Sequence, residues 1–318
     1  MNNNLLFHIG YHKTATTWLQ RQLFIKNSPI FLPVSENEEG ASTVAKHFYQ
    51  DKNAYLLSSF DLNKENIVKA IQPFVEADKI GDRLPIISHE RLSGSPHAGG
   101  FDARLIADRI KNACPYGRIF ISIRQQHDVI FSLYFQYLRM GGTHSLHEYL
   151  STPYDGKRPH FSPNYLEYHQ LVSYYIDLFG EENVLVLPYE LFISDAKNYV
   201  HQLLEFCRLK LDLNSLDYSW KTNQLEGNLL AEYKSRFLNK KLRKNSLNDY
   251  GPKQKSWDEV YVKTLKSLYS SANAKRKNQE FIQQKRQEII DWSNNRFING
   301  NKHLASLINV DLSKYNYY

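Results

Sequence analysis

A lysine followed by a cluster of hydroxyls, set just after a short apolar run, carries the clearest chemistry in this chain. The segment reads Leu5-Leu6-Phe7-His8-Ile9-Gly10-Tyr11-His12-Lys13-Thr14-Ala15-Thr16-Thr17-Trp18-Leu19. The apolar run predicts a strand, Gly10 a tight turn and Thr16 the entry to a helix. A helix N-terminus offers unpaired N–H groups and the positive end of its dipole, which suit an anion. Lys13 adds a full charge beside them, and Thr14, Thr16 and Thr17 add hydroxyl donors. The segment therefore predicts a site for a phosphate- or sulfate-sized anion. It departs from the nucleoside-triphosphate loop, which requires G-x-x-x-x-G-K-[ST]. Gly10 stands only three residues before Lys13, and no glycine directly precedes the lysine. The Cβ of Ala15 penalises positive φ, so the turn is expected to use ordinary backbone angles.

A second anion site is predicted near the middle of the chain. Arg124 ends the apolar run Arg118–Ile123, and Ser132 lies eight residues on, inside the next helical segment. A guanidinium forms paired hydrogen bonds to phosphate oxygens, so an arginine at a strand end and a helix hydroxyl can clamp one phosphate. A third cluster, Ser88-His89-Glu90-Arg91, places three ionisable groups at the end of the run Leu84–Ser88.

The order G-x-x-K-T-x-T-T-W at Gly10–Trp18 resembles the 5′-phosphosulfate loop of sulfotransferases that use 3′-phosphoadenosine-5′-phosphosulfate (PAPS). The chain departs from that pattern in carrying Ala15 where glycine is common and His12 where proline is common. Arg124 with Ser132 resembles the family's 3′-phosphate element. Val184–Leu191 resembles its strand ending in Tyr-Glu, with Tyr189 bordering the adenine, and Trp18 matches a position that often stacks on that base. Lys221–Gln224 and Phe297–Tyr318 resemble segments of bacterial glycan- and polysaccharide-sulfating members. The resemblance implies PAPS as donor, 3′,5′-ADP as product and an acceptor that is a saccharide or glycoconjugate. His12, Lys13, Thr14, Ala15, Thr16, Thr17, Trp18, Arg124, Ser132 and Tyr189 would then bind the donor. Sulfuryl transfer needs positive groups at the leaving phosphate, a task for Lys13 and the helix N-terminus. It also needs a general base for the acceptor. Glu90 is the first candidate and His89 the second, with His47 and Glu36 in reserve, and His12 could also approach the acceptor. No metal is expected, since no clear aspartate of the magnesium-holding kind follows any strand.

The elements that must position these residues alternate. Apolar runs at Leu5–Ile9, Leu84–Ser88, Arg118–Ile123 and Asn183–Leu187 predict strands. Helices are predicted at Thr16–Lys26, Lys64–Ala77, Asp102–Ala113 with Asp102 as N-cap, Gln126–Met140 and Asp195–Arg208. Phe31–Ser59 reads as loop with one helical piece near Thr43–Gln50. Helices near Gln224–Leu238, Trp257–Ser271 and Glu280–Trp292 complete the chain. The expectation is one α/β domain over residues 1–318: a parallel sheet flanked by helices, of the P-loop-like sulfotransferase kind, with helical insertions and a helical C-terminal part. Ligands of such sheets bind beyond the carboxyl ends of the strands. Residues 141–178 are expected to form an acceptor-side insert or lid, and 239–256 a basic mobile loop.

The 318 residues carry 42% apolar content and a formal charge of +7, which suits anionic ligands. Cys114 and Cys207 read as buried, reduced thiols. Met1-Asn2-Asn3-Asn4 leads straight into a strand, so no signal segment or membrane span is expected, and the cytoplasm is the expected compartment. Two other readings stay open. One is a small-molecule kinase, which the missing Gly-Lys pair disfavours. The other is a basic nucleotide- or nucleic-acid-binding module using 239–256, which lacks aromatic interleaving; no nucleic-acid partner is expected.

Overall fold

Five parallel strands form the sheet of this computed structural model, which describes residues 5–26, 29–35, 42–49, 64–75, 81–151, 160–219, 228–245, 248–253 and 272–317. The strands are β1 (Leu6–Gly10), β2 (Phe31–Pro33), β3 (Leu84–Ser88), β4 (Arg118–Ile123) and β5 (Val184–Pro188), in the order β2-β3-β1-β4-β5. β1 pairs with β3 through Leu6↔Ile86 and with β4 through Leu6↔Arg118. Every residue of β1 and β3 is buried. Such strands must read as near-continuous apolar runs, because helices cover both faces of a parallel sheet. The chain runs from β1 to the edge strand β2, returns through β3 beside β1, and then crosses to β4 on the other side. That reversal leaves a crevice at the carboxyl end of β1, where the Lys13 loop begins.

Four strands lie where the sequence places them, and the fold class is the expected one. β2 was not expected: it spans three residues within the stretch read as loop. The helix predicted at Thr16–Lys26 is α-helical only over Thr16–Trp18 and continues as wider π-type turns over Leu19–Ile25, a geometry frequent beside functional sites. Asp102 precedes the helix Ala103–Ala113 but makes no side-chain cap. Its carboxylate accepts instead from Arg91 Nη2 at 2.7 Å and from Ser95 N at 2.9 Å, an ion pair outweighing a cap. Cys207 is buried and Cys114 half-buried, both as free thiols.

The chain divides into two compact units. The first comprises Met1–Gln125, Asn164–Thr222 and Phe297–Tyr318, and holds the five-stranded sheet; the second comprises Gln126–Pro163 and Asn223–Arg296. Within the second unit, the helices Gln126–Arg139, Leu229–Leu242 and Ala272–Ser293 pack through rings such as Tyr233 on Phe281, with centroids 5.1 Å apart. In the described part of 239–256, the helix runs to Leu242 and an antiparallel hairpin joins Arg243–Asn245 to Asn248–Lys253. In 141–178, Ser145 and Glu148 form a reciprocal cap on the short helix Leu146–Leu150, and the helix Tyr168–Phe179 follows. Lys221–Gln224 and the helix expected over Trp257–Ser271 lie outside the described residues. No helix of the described residues is long and apolar enough to cross a membrane.

Candidate active site

The turn after β1 is built from two left-handed residues, Lys13 at φ 71° and Ala15 at φ 61°. This corrects the expectation of ordinary angles. A left-handed non-glycine residue costs about 1–2 kcal/mol, and such strain collects at functional sites. Left-handed residues in a turn aim successive N–H groups into a concavity that takes anions. Thr14 is fully buried and donates its hydroxyl proton to the Tyr11 carbonyl at 2.5 Å, so it braces the turn. Thr16 is buried, and its Oγ1 has no hydrogen-bond partner among the described residues. A Cβ on Gly10 would lie 2.6 Å from Thr16 Oγ1 and 3.2 Å from Thr14 Oγ1; only glycine lets both hydroxyls converge there. A buried hydroxyl without a partner is costly, and an anion oxygen would satisfy it. Lys13 and Thr17 are exposed at the rim. The loop residues therefore fit a phosphate-like group.

Arg124 belongs to the same site. Its Nη1 donates to the Lys13 carbonyl at 3.2 Å, and its guanidinium lies 4.8 Å from the centre of the Tyr189 ring. The Tyr168 hydroxyl donates to the Arg124 carbonyl at 2.6 Å. The next residue is held too: Gln125 N donates to Glu190 Oε1 at 2.9 Å, and the Tyr317 hydroxyl donates to Glu190 Oε2 at 2.9 Å. Burial pushes the Glu190 carboxyl up from its ordinary range. Tyr11 N donates to the Ser122 carbonyl at 2.9 Å, fixing the Lys13 loop against β4.

The end of β3 carries the candidate bases. His89 accepts from Arg91 N through Nδ1 at 3.0 Å, and its Nε2 meets the Tyr49 hydroxyl at 3.1 Å. An Nδ1 that accepts leaves the neutral ring's proton on Nε2, so both nitrogens are committed. Glu90 is different. Its carboxylate is 39% exposed, with Oε2 3.8 Å from His89 Nδ1, and its neighbour Arg91 pairs with Asp102. His12 is buried, with Nδ1 lacking a hydrogen-bond partner among the described residues. Burial, followed by the nearby His97, Arg91, Lys13 and His89, holds it well below its ordinary pKa, so it is neutral. Burial and then Lys13 bring His97 down to about 4. His47 is half-buried on the helical turn Lys46–Tyr49. Glu36 lies outside the described residues.

The remaining predicted residues are placed as follows. Trp18 is 2% exposed, donates Nε1–H to the Asp217 carbonyl at 3.2 Å, and stacks on Tyr218 with centroids 5.6 Å apart. Tyr189 is half-buried and near-parallel to Phe192 at 6.2 Å. Ser132 is buried on the helix Gln126–Arg139 of the second unit. Sequence reasoning missed the parts played by Arg91, Asp102 and His97 beside His12, and the grip of Glu190 on Gln125. The signals available were Arg91 in the Ser88–Arg91 cluster, Asp102 read as a cap, and Glu190 in the Tyr-Glu that ends Val184–Leu191.

This is the sulfotransferase fold. The chain resembles the solved structure of a sulfotransferase from Alicyclobacillus acidocaldarius over 98% of each chain, at a TM-score of 0.54 and 18% identity; the likeness carries the fold and no more. Looser likenesses reach the sulfotransferase domain from the curacin biosynthetic pathway, at a TM-score of 0.40 and 12% identity over 87% of this chain and 97% of that one. They also reach the mouse sulfotransferase SULT7A1 complexed with PAP, at 0.36 and 14% over 90% and 86%. The chain matches no protein-family model and no curated protein.

Proposed function

We propose that this protein is a sulfotransferase that moves the sulfuryl group of PAPS to a hydroxyl or amine of an acceptor, with 3′,5′-ADP as product. The observation that carries the reading is the joining of Lys13 and Arg124 through one hydrogen bond, beneath a left-handed turn whose Thr16 hydroxyl has no partner among the described residues. Lys13, the turn's N–H groups, Thr16 and Thr17 would hold the 5′-phosphosulfate, and Arg124 the 3′-phosphate. Tyr189 would flank the adenine, with Trp18 supporting that wall from the core through Phe192, 4.8 Å away.

Glu90 is the assigned base. It takes the proton of the acceptor hydroxyl as that oxygen bonds to sulfur and the sulfur–oxygen bond to the 5′-phosphate breaks. Lys13 meets the charge that appears on the departing phosphate. A carboxylate left partly in solvent can receive an acceptor, whereas His89 has both ring nitrogens in use. A saccharide is the preferred acceptor, on the resemblance to glycan-sulfating members and on the tyrosines and histidines of 141–178.

A thermal-shift series tests the reading. Stabilisation by 3′,5′-ADP without magnesium is expected, and a ligand at a hundred times its Kd adds about 2.7 kcal/mol. Stabilisation by ATP only with magnesium would point to a kinase. RNA binding that collapses with salt, with no nucleotide effect, would point to a binding module. Transfer of labelled sulfuryl from PAPS across candidate saccharides then identifies the acceptor.

A further inference from the structure

We propose that His8, which touches no ligand, is a positioning residue that sets the ends of three strands against one another, so that the donor loop, Arg124 and the base keep one geometry. The inference rests on the sulfotransferase reading. His8 is fully buried in β1, where its neighbours are apolar. Its Nδ1 lies 2.8 Å from Ser88 Oγ on β3, and its Nε2 lies 3.1 Å from Ser122 Oγ on β4. Both hydroxyls have a second partner. Gln20 Nε2 donates to Ser88 Oγ at 3.1 Å and to the Ser88 carbonyl at 3.2 Å, and the Tyr199 hydroxyl lies 3.0 Å from Ser122 Oγ. The imidazole also stacks on Phe120, with centroids 4.9 Å apart.

A polar chain through the middle of a sheet is not there for stability. Burying such groups costs free energy that apolar side chains would not, and only complete pairing offsets it. What the chain supplies is register. A parallel strand can slide past its neighbour without losing apolar contact, but a ring bonded on both sides fixes three strands at one level. Those three strands lead to the site. His8 precedes Gly10 and the Lys13 turn, Ser88 directly precedes His89 and Glu90, and Ser122 lies two residues before Arg124. The main chain repeats the tie: His89 N donates to the His8 carbonyl at 3.3 Å and Tyr11 N to the Ser122 carbonyl at 2.9 Å. Burial holds the ring's pKa down to about 3, so it stays neutral and acts through geometry.

The test compares His8→Leu, His8→Gln, Ser122→Ala and Ser88→Ala with the parent by calorimetric affinity for 3′,5′-ADP and by melting temperature. Positioning predicts that His8→Leu and Ser122→Ala bind 3′,5′-ADP at least tenfold more weakly. His8→Gln, which keeps a donor and an acceptor, recovers most of that loss. Ser88→Ala, on the base side, keeps the affinity. Affinities within twofold of the parent in Ser122→Ala and in a folded His8→Leu, with only melting temperature lowered, would overturn the inference. If His8→Leu does not fold, Ser122→Ala alone decides. Failure of the parent itself to bind 3′,5′-ADP would instead remove the sulfotransferase reading.

Discussion

Arg124 Nη1 donates to the main-chain carbonyl of Lys13 at 3.2 Å, so the two cations read from separate parts of the sequence are parts of one structure. The guanidinium both braces the left-handed turn and brings a second positive charge to it. With the 5′-phosphosulfate assigned to Lys13 and the 3′-phosphate to Arg124, this bond fixes the main chain that carries one cation to the other, an arrangement that favours a ligand with an anionic group at each end.

Arg124→Ala should therefore weaken 3′,5′-ADP binding. Hydrogen bonds to charged groups are worth about 1.5–3 kcal/mol, so a loss of roughly tenfold to a hundredfold is expected by calorimetry. Arg124→Lys should not restore it. An ammonium has no planar fork for phosphate oxygens and would not reproduce the guanidinium's place over the Tyr189 ring, 4.8 Å from its centre. Full affinity in either variant would place the 3′-phosphate elsewhere.

Ala15→Gly should stabilise the fold, against the usual direction. Relief of the left-handed strain at φ 61° is worth about 1–2 kcal/mol. The freer unfolded chain takes back about 0.4–1 kcal/mol. The net gain is of order 0.5–1 kcal/mol, read as a rise in the urea midpoint at unchanged slope. A fall would mean that the alanine methyl's own packing outweighs the backbone strain.

Glu90→Gln should keep affinity for 3′,5′-ADP and lose transfer by about a hundredfold or more, the usual scale for a general base. Tyr49→Phe serves as control, because it removes the hydroxyl that engages His89 Nε2 and leaves Glu90 intact. Normal transfer in Glu90→Gln moves the role to His89, His47, His12 or Glu36.

Some of this was legible in the sequence and some was not, for physical reasons. β1, β3 and β4 are buried on both faces, so each appears as a mostly apolar run, interrupted only by His8, by Ser88 and by Arg118 and Ser122 respectively. β2 has too few residues to show a period. The anion loop was legible from residue types, because charge and hydroxyls cluster over a few positions. The angles at Lys13 and Ala15 were not, since a left-handed alanine is imposed by its surroundings against its own preference. Asp102 was read as a cap from local rules and is claimed instead by Arg91, eleven residues away. The commitment of His89 depends on Tyr49, forty residues away, which no local pattern encodes.

Stability should fall steeply in mild acid, and His8 gives the sign. Its pKa is about 3 in the fold and about 6.5 in the unfolded chain. Between these values the unfolded chain binds a proton that the folded ring refuses. Its contribution is complete above pH 6.5 and is lost as pH falls toward 3, by about 1.4 kcal/mol for each pH unit. His12 and His97, also depressed first by burial, add slopes of the same sign. Glu190, raised by burial, works the other way, because ionising it in the fold costs more than in the unfolded chain as pH rises above the ordinary carboxyl range. Three histidines outweigh one carboxyl, so urea unfolding should give lower stability at pH 5.5 than at pH 7. His8→Gln removes one proton from the balance and should flatten the slope by up to about 1.4 kcal/mol per pH unit. An unchanged slope in His8→Gln would mean that the ring is not held neutral between Ser88 and Ser122.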